Sequence, residues 1–325
     1  MCTSIALTDG GFCFGRNMDL EYTFGERVVY VPRSFPFSFR KAGRMDRHYA
    51  IIGMAAVMDG YPLFADGMNE KGLCIAGLNF PENAYYPEEA DDEKENVSPF
   101  ELIPYLLGRC ASVKEARELL EKTRLVLIHF REDVLLTPLH WHIADREESI
   151  VLEAMRDGMH IRENPVGVMT NSPPLDFHLT NLRQYLNLTV NYPGNRFGGE
   201  TKLKPFGVGL GSIGLPGDYS PVSRFVRAAF LKMNSVSGEG TLDCLTRCMH
   251  LMDAVAMPDG IVQTPDGRFE KTSYSCCMDA DRGVYYYKTY ENSCLTAVDM
   301  QKENPEGREI SEFPLRREQQ IAHAN

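Results

Sequence analysis

The sequence predicts an α+β fold with layered antiparallel sheets. Three observations carry that expectation. Short β-rich runs come in three clusters, helical segments fall between the clusters, and no repeat or Gly-, Pro- or Ser-rich linker divides the 325 residues. One domain spanning residues 1–325 is therefore expected.

The first cluster holds runs at 28–31, 50–57 and 73–78, separated by Gly and Asp turns. An acidic run over 88–95 then precedes Ser98-Pro99-Phe100-Glu101. That quartet reads as a helix start: Ser caps, Pro takes the first helical position and Glu closes a capping box. Pro104 is expected to weaken or kink this helix. Ser112 opens a second helix, with Ala116, Leu119 and Leu120 on its apolar side. The second cluster covers 139–145, 149–154 and 167–170. Ser220-Pro221 starts a helix carrying Val222, Phe225, Val226, Ala229, Phe230 and Met233 at a period near 3.6. A further helix is expected over 242–256. The third cluster covers 272–278, 283–290 and 295–299.

Composition narrows the function classes. The chain is 43% hydrophobic and 24% charged, which is ordinary for a globular protein. Its net charge of −11 gives no attraction to nucleic acid or to an anionic membrane. No apolar run reaches the roughly 18 residues of a membrane span. The start Met1-Cys2-Thr3-Ser4-Ile5 lacks the basic and apolar segments of a signal peptide. Nine cysteines, an odd number scattered over a long chain, read as reduced and mostly buried. A cytoplasmic setting fits that pattern.

The chemistry concentrates at Cys2. Met1 precedes a small residue and is expected to be removed. Cys2 would then carry both a thiol and a free α-amine, whose ordinary pKa values are about 8.5 and about 8. The amine can take the thiol proton at little cost, so one residue supplies nucleophile and base.

Other residues suit the same centre. Arg16 and Asp19 lie three apart near the end of a β-run. A guanidinium beside Cys2 favours thiolate, and a carboxylate near the α-amine orients it. Asn79 and Asn171 stand at the exits of apolar runs, where an Asn forms turns or donates to an oxyanion. Arg224 falls in the first turn of its helix, on the side away from Val222, Phe225 and Val226. A cation there opposes the helix dipole, so a carboxylate or other anion is expected nearby.

These pieces resemble one family. Met-Cys-Thr at the start, Phe-Gly-Arg-Asn-Met-Asp (14–19), Asp-Gly-Met-Asn-Glu-Lys-Gly-Leu (66–73), Gly-Leu-Asn-Phe-Pro (77–81), Thr-Asn-Ser-Pro (170–173), Gly-Leu-Pro-Gly-Asp-Tyr-Ser (214–220) and Tyr-Tyr-Tyr-Lys-Thr-Tyr-Glu-Asn (285–292) occur in that order. Together they resemble the choloylglycine hydrolases, the bile salt hydrolases of gut bacteria, from Cys2 to about Pro314.

The resemblance implies a four-layer αββα N-terminal-nucleophile fold, with two antiparallel sheets between helical layers. It implies Cys2 as nucleophile, Arg16 and Asp19 beside it, Asn79 and Asn171 around the oxyanion, and Arg224 in support. The substrates implied are glycine- or taurine-conjugated bile acids, with no cofactor and no metal. Met18, Met58, Phe130 and Val134 are expected to line the steroid cleft. A homotetramer is the family's habit.

Three alternatives remain. A penicillin V acylase is the sister activity, and Asn79 favours the bile salt branch because the acylases tend to carry Tyr there. A metal or redox protein is the reading from another class, through Cys244, Cys248 and His250 or His140-Trp141-His142, although neither set has an accepted zinc spacing. A binding module that has lost catalysis would not need the nucleophile set.

Overall fold

A computed structural model describes residues 1–325. In chain order the strands of its two large sheets are β1 (Cys2–Leu7), β2 (Cys13–Leu20), β3 (Arg27–Val31), β4 (Ile51–Met58), β5 (Tyr61–Asn69), β6 (Cys74–Asn79), β7 (Leu139–Ala144), β8 (Ser149–Met155), β9 (Gly158–Glu163), β10 (Val168–Met169), β11 (Val262–Gln263), β12 (Phe269–Asp279), β13 (Val284–Thr289), β14 (Thr296–Asp299) and β15 (Ser311–Pro314). The α-helices are α1 (Leu102–Arg109), α2 (Val113–Leu120), α3 (Leu175–Asn181), α4 (Pro221–Asn234) and α5 (Thr241–Asp253).

One sheet has the order β10-β1-β2-β12-β13-β14, with β11 added to β12. The other runs β9-β8-β7-β6-β5-β4-β3-β15. Every pairing within these two sheets is antiparallel. Helices α4 and α5 cover the outer face of the first sheet, and α1 packs on the second. The inner faces meet in an apolar layer that includes Phe14, Ala76, Leu78 and Val151. A second apolar cluster lies between the other sheet and α1, around Leu106, Trp141 and Leu152. This is the four-layer arrangement expected above.

The β-rich runs all became strands, with ends shifted by at most one residue, except that the run at 272–278 extends back to Phe269 in β12. Ser112 Oγ accepts from Glu115 N at 3.3 Å, capping α2 as read. Glu101 Oε2 accepts from the Ser98 backbone at 3.0 Å, and a 3₁₀ turn over Pro99–Glu101 leads into α1. Pro104 does not interrupt that helix. It is the third residue of α1, where a backbone N–H has no intrahelical acceptor to lose.

The helix from Pro221 differs from its sequence reading. Its buried face is 223–229, whereas Phe230 is half-buried and Met233 is 60% exposed. Arg224, expected on the outer side, is fully buried. The reason is local: the first turn of α4 lies over the polar groups of Cys2, Thr3 and Asn171 that Arg224 meets, whereas Phe225, Ala228 and Ala229 pack into the apolar core over β1 and β10.

Candidate active site

Strands β1 and β2 are neighbours, with Cys2 opposite Met18 and Ser4 opposite Arg16. Alternation along a strand then sorts the side chains. Cys2, Ser4, Arg16 and Met18 face the second sheet, where Ser4 Oγ and His142 Nδ1 are 2.8 Å apart. Thr3, Asn17 and Asp19 face the helices, where Asn17 Nδ2 donates to the Met252 carbonyl of α5. A spacing of three thus puts Arg16 and Asp19 on opposite faces of β2, and both still serve the surroundings of Cys2.

Arg16 approaches the sulfur from inside. Its Nη2 lies 3.3 Å from Cys2 Sγ, 3.3 Å from Met18 Sδ and 2.8 Å from the Gly77 carbonyl. Its Nη1 donates to the Ala65 carbonyl at 2.7 Å and to Asp66 Oδ2 at 2.9 Å. Burial opposes the charge, but Tyr274, Cys2 and Asp66 outweigh it and hold the guanidinium well above its ordinary pKa. Asp66 also accepts from Tyr274 Oη and Tyr285 Oη, each at 2.6 Å. Burial keeps both phenols protonated well past their usual range, so they remain donors.

Arg224 approaches from the helix side. Its Nη1 donates to the Cys2 carbonyl and to Thr3 Oγ1, each at 2.6 Å, and its Nε to the Tyr219 carbonyl at 2.9 Å. Nη2 donates to Asn171 Oδ1 at 2.7 Å. Burial pulls this guanidinium down, and Asp19 and Cys2 oppose that. The carboxylate expected near this helix start is Asp19, whose Oδ2 is 3.9 Å from Arg224 Nη1. Asp19 Oδ1 accepts from Thr272 Oγ1 at 2.6 Å, while Oδ2 is buried without a hydrogen-bond donor.

Asn171 Oδ1 also accepts from the Cys2 backbone nitrogen at 2.9 Å, and its Nδ2 donates to the Asn79 carbonyl at 2.8 Å. Both ends of that side chain are therefore spent. Asn79, the last residue of β6, is different: its side chain makes no hydrogen bond, and Oδ1 is buried without a partner. The segment carrying Asn171 is clamped. His140 Nε2 donates to the Thr170 carbonyl at 3.1 Å, His178 Nε2 to the Asn171 carbonyl at 3.0 Å, and Leu175 N to Glu153 Oε1 at 2.8 Å.

A cavity of about 570 Å³ opens on this centre and is lined by Cys2, Arg16 and Asn79. Met18, Met58, Phe130 and Val134 line it too, and 18 of its 26 lining residues are hydrophobic, so it suits a largely apolar ligand. Charge enters through Glu21, Asp133 and Glu270. Another cavity of about 580 Å³ is mainly polar and contains none of the residues above.

Sequence reasoning gave no role to Asp66, Tyr274, Tyr285, Glu153 or Glu270. Asp66 and Tyr285 stood inside quoted motifs, but only the fold brings them to Arg16. The metal alternative finds no geometry: no three His, Cys, Asp or Glu side chains group to hold an ion. Cys248 instead packs under the bare Cα of Gly15, where a Cβ would meet its sulfur at 2.5 Å.

Comparison with known proteins agrees with this arrangement. The profile of the linear amide C–N hydrolases, choloylglycine hydrolase family, matches residues 2–313. A bile salt hydrolase/transferase of Lactiplantibacillus plantarum is 46% identical over 325 residues, covering 100% of both chains. One from Clostridium perfringens is 39% identical over 330 residues, again covering 100% of both. A solved structure of the conjugated bile acid hydrolase from Clostridium perfringens has a TM-score of 0.93 at 38% identity, covering 100% of both chains. Penicillin V acylase from Agrobacterium tumefaciens shares the fold, with a TM-score of 0.74 at 22% identity over 97% of this chain and 91% of its own. The chain belongs to the choloylglycine hydrolase family of linear amide C–N hydrolases and has that family's N-terminal-nucleophile fold.

Proposed function

We propose that this chain is a bile salt hydrolase that cleaves the amide of glycine- or taurine-conjugated bile acids through a thioester on Cys2. One observation carries the reading: Cys2 Sγ, 3.3 Å from Arg16 Nη2, faces a mostly apolar cavity large enough for a steroid. The names of the relatives supply the substrate class.

Loss of Met1 frees the α-amine of Cys2, which takes the thiol proton. Arg16 favours the thiolate. The thiolate attacks the amide carbon, and the Asn79 side chain, free of other hydrogen bonds, donates to the oxyanion. Asn171, with its amide spent on Asn79, and Arg224 hold the Cys2 backbone in place. The leaving amine takes a proton from the α-ammonium, which Asp19 Oδ2 orients. Water then attacks the thioester, with the α-amine as base. Because two relatives are named hydrolase/transferase, we extend the reading to transfer of the same acyl group to an acceptor other than water.

The rest of the reading concerns setting. No helix is long and apolar enough to cross a membrane, and we place the protein in a bacterial cytoplasm as a single domain. A homotetramer fits the exposed apolar side chains on 186–217, among them Phe197 at 89% and Phe206 at 95% exposure.

The test pairs two measurements. Mass spectrometry establishes whether Met1 is gone, and taurocholate, glycocholate and penicillin V hydrolysis are compared for wild type and Cys2→Ser. Near-wild-type activity in Cys2→Ser sinks the mechanism. Faster turnover of penicillin V than of either conjugate moves the assignment to the sister branch.

A further inference from the structure

We infer that Glu270 and the backbone carbonyl of Asp19 form a seat for a primary ammonium beside Cys2, and that this seat holds the amine leaving or reaching the acyl group. The inference rests on the reading of Cys2 as an acyl-carrying nucleophile freed by loss of Met1.

With Met1 present, the chain fills this seat itself. The Met1 α-ammonium donates to the Asp19 carbonyl at 2.6 Å and to Glu270 Oε2 at 2.8 Å. The Glu270 side chain is 13% exposed and makes no other hydrogen bond or ion pair. Loss of Met1 therefore strips the donor from two acceptors at once, one of them charged. Leaving such groups unpaired in a part-buried place is unfavourable, so a replacement donor is favoured. The seat is also rigid. Glu270 lies in β12 opposite Val262 of β11, two residues before Thr272, which pairs with Asp19, so neighbouring positions of one sheet hold both acceptors.

No cation of the chain stands ready to replace Met1. The N–H groups of Arg224 are spent on Tyr219, Cys2, Thr3 and Asn171. Lys271 lies 3.6 Å from both Asp259 and Glu291, and Arg268 pairs with Glu21 and Asp266. The Cys2 nitrogen already donates to Asn171 Oδ1.

Position makes the seat chemically useful. Met1 and Glu270 both line the cavity that Cys2 lines. The Met1 nitrogen is three covalent bonds from the Cys2 nitrogen, so an amine taking its place lies beside the group that moves protons in the mechanism. In transfer, an ammonium R–NH₃⁺ docks on Glu270 and the Asp19 carbonyl and passes one proton to the Cys2 α-amine. Its nitrogen attacks the thioester carbon. A C–N bond forms, the C–S bond breaks, and the second proton goes to the released thiolate. The products are the amide, the Cys2 thiol and the α-ammonium, so protons and charge balance. In hydrolysis the departing amine takes a proton and rests in the same seat as its ammonium.

The experiment measures how one thioester divides between acceptors. Mass-verified protein lacking Met1 is given glycocholate with either methylamine or methanol, and N-methyl amide, methyl ester and free acid are quantified. Ratios to free acid do not depend on the overall rate. Glu270→Gln is expected to lower the amide-to-acid ratio at least tenfold while the ester-to-acid ratio stays within twofold, and Glu270→Asp is expected to recover part of the loss. An unchanged amide ratio overturns the seat, as does an equal fall in both ratios. So does a wild type that releases free acid but forms no N-methyl amide. A wild type that releases no free acid from glycocholate overturns the hydrolase reading instead, and the seat with it.

Discussion

Cys2 Sγ and Arg16 Nη2 lie 3.3 Å apart, and the guanidinium making that contact is held from its other side by Asp66 at 2.9 Å. Asp66 is in turn held by two tyrosines. The Cys2 sulfur therefore stands at the end of a chain of charge-assisted hydrogen bonds running into the space between the sheets.

Arg16→Lys keeps the charge but cannot span Asp66 and Cys2 together. A lost hydrogen bond to a charged group is worth about 1.5–3 kcal/mol. The expected outcome is a fall in kcat/KM of roughly 10–100-fold, read from taurocholate hydrolysis.

Asp66 acts through Arg16 and is a positioning residue. Asp66→Asn breaks a fully buried ion pair, which costs about 3–5 kcal/mol of stability. Tyr285→Phe removes one donor and should cost about 1–3 kcal/mol. Below their melting temperatures both variants are expected to lose kcat more than they raise KM. Variants that change only Tm would reduce Asp66 to scaffolding.

Met58→Ala and Phe130→Ala shorten apolar walls of the cavity. Burying such a side chain is worth about 1.5–3 kcal/mol. KM for conjugated bile acids is expected to rise roughly 10–100-fold, with kcat changed much less. Steady-state kinetics with glycocholate checks the split.

Stability should fall with acid. Burial, the largest cause in each case, holds His140, His142 and His178 below the ordinary histidine value, with His142 at about 3 against 6.5. The unfolded chain then binds more protons than the folded one between those limits. The stabilisation from a neutral His142 is complete above pH 6.5 and is lost as pH falls toward about 3. Denaturant unfolding from pH 7.5 to 4 should register this, with a slope of up to about 1.4 kcal/mol per pH unit for each such group. His142→Gln should flatten the slope by up to one proton.

Much of the architecture was legible locally. The β-rich runs, the Ser112 and Ser220 helix starts and the six polar candidates were all readable from residue type and order. Three readings went astray for a shared reason. Pro104 was judged without knowing where α1 begins, and the outward side of α4 was assigned from apolar spacing alone. Asn171 was offered as an oxyanion donor although the fold spends its amide on Asn79. Each depended on what the element packs against.

The sequence by itself placed a cysteine directly behind Met1, where loss of Met1 would give one residue both a thiol and an α-amine, and set Arg, Asp and Asn with it in a family order. Strand alternation and turn chemistry are local, so they survive in the one-dimensional pattern. Tertiary structure alone decided who meets whom. Arg16 meets a carboxylate 50 residues away, Arg224 meets a carbonyl 222 residues away, and the Met1 ammonium meets Glu270 across 269 residues. Those contacts arise only when β1, β2 and β12 align in one sheet and the second sheet closes over them, and no local periodicity encodes that register.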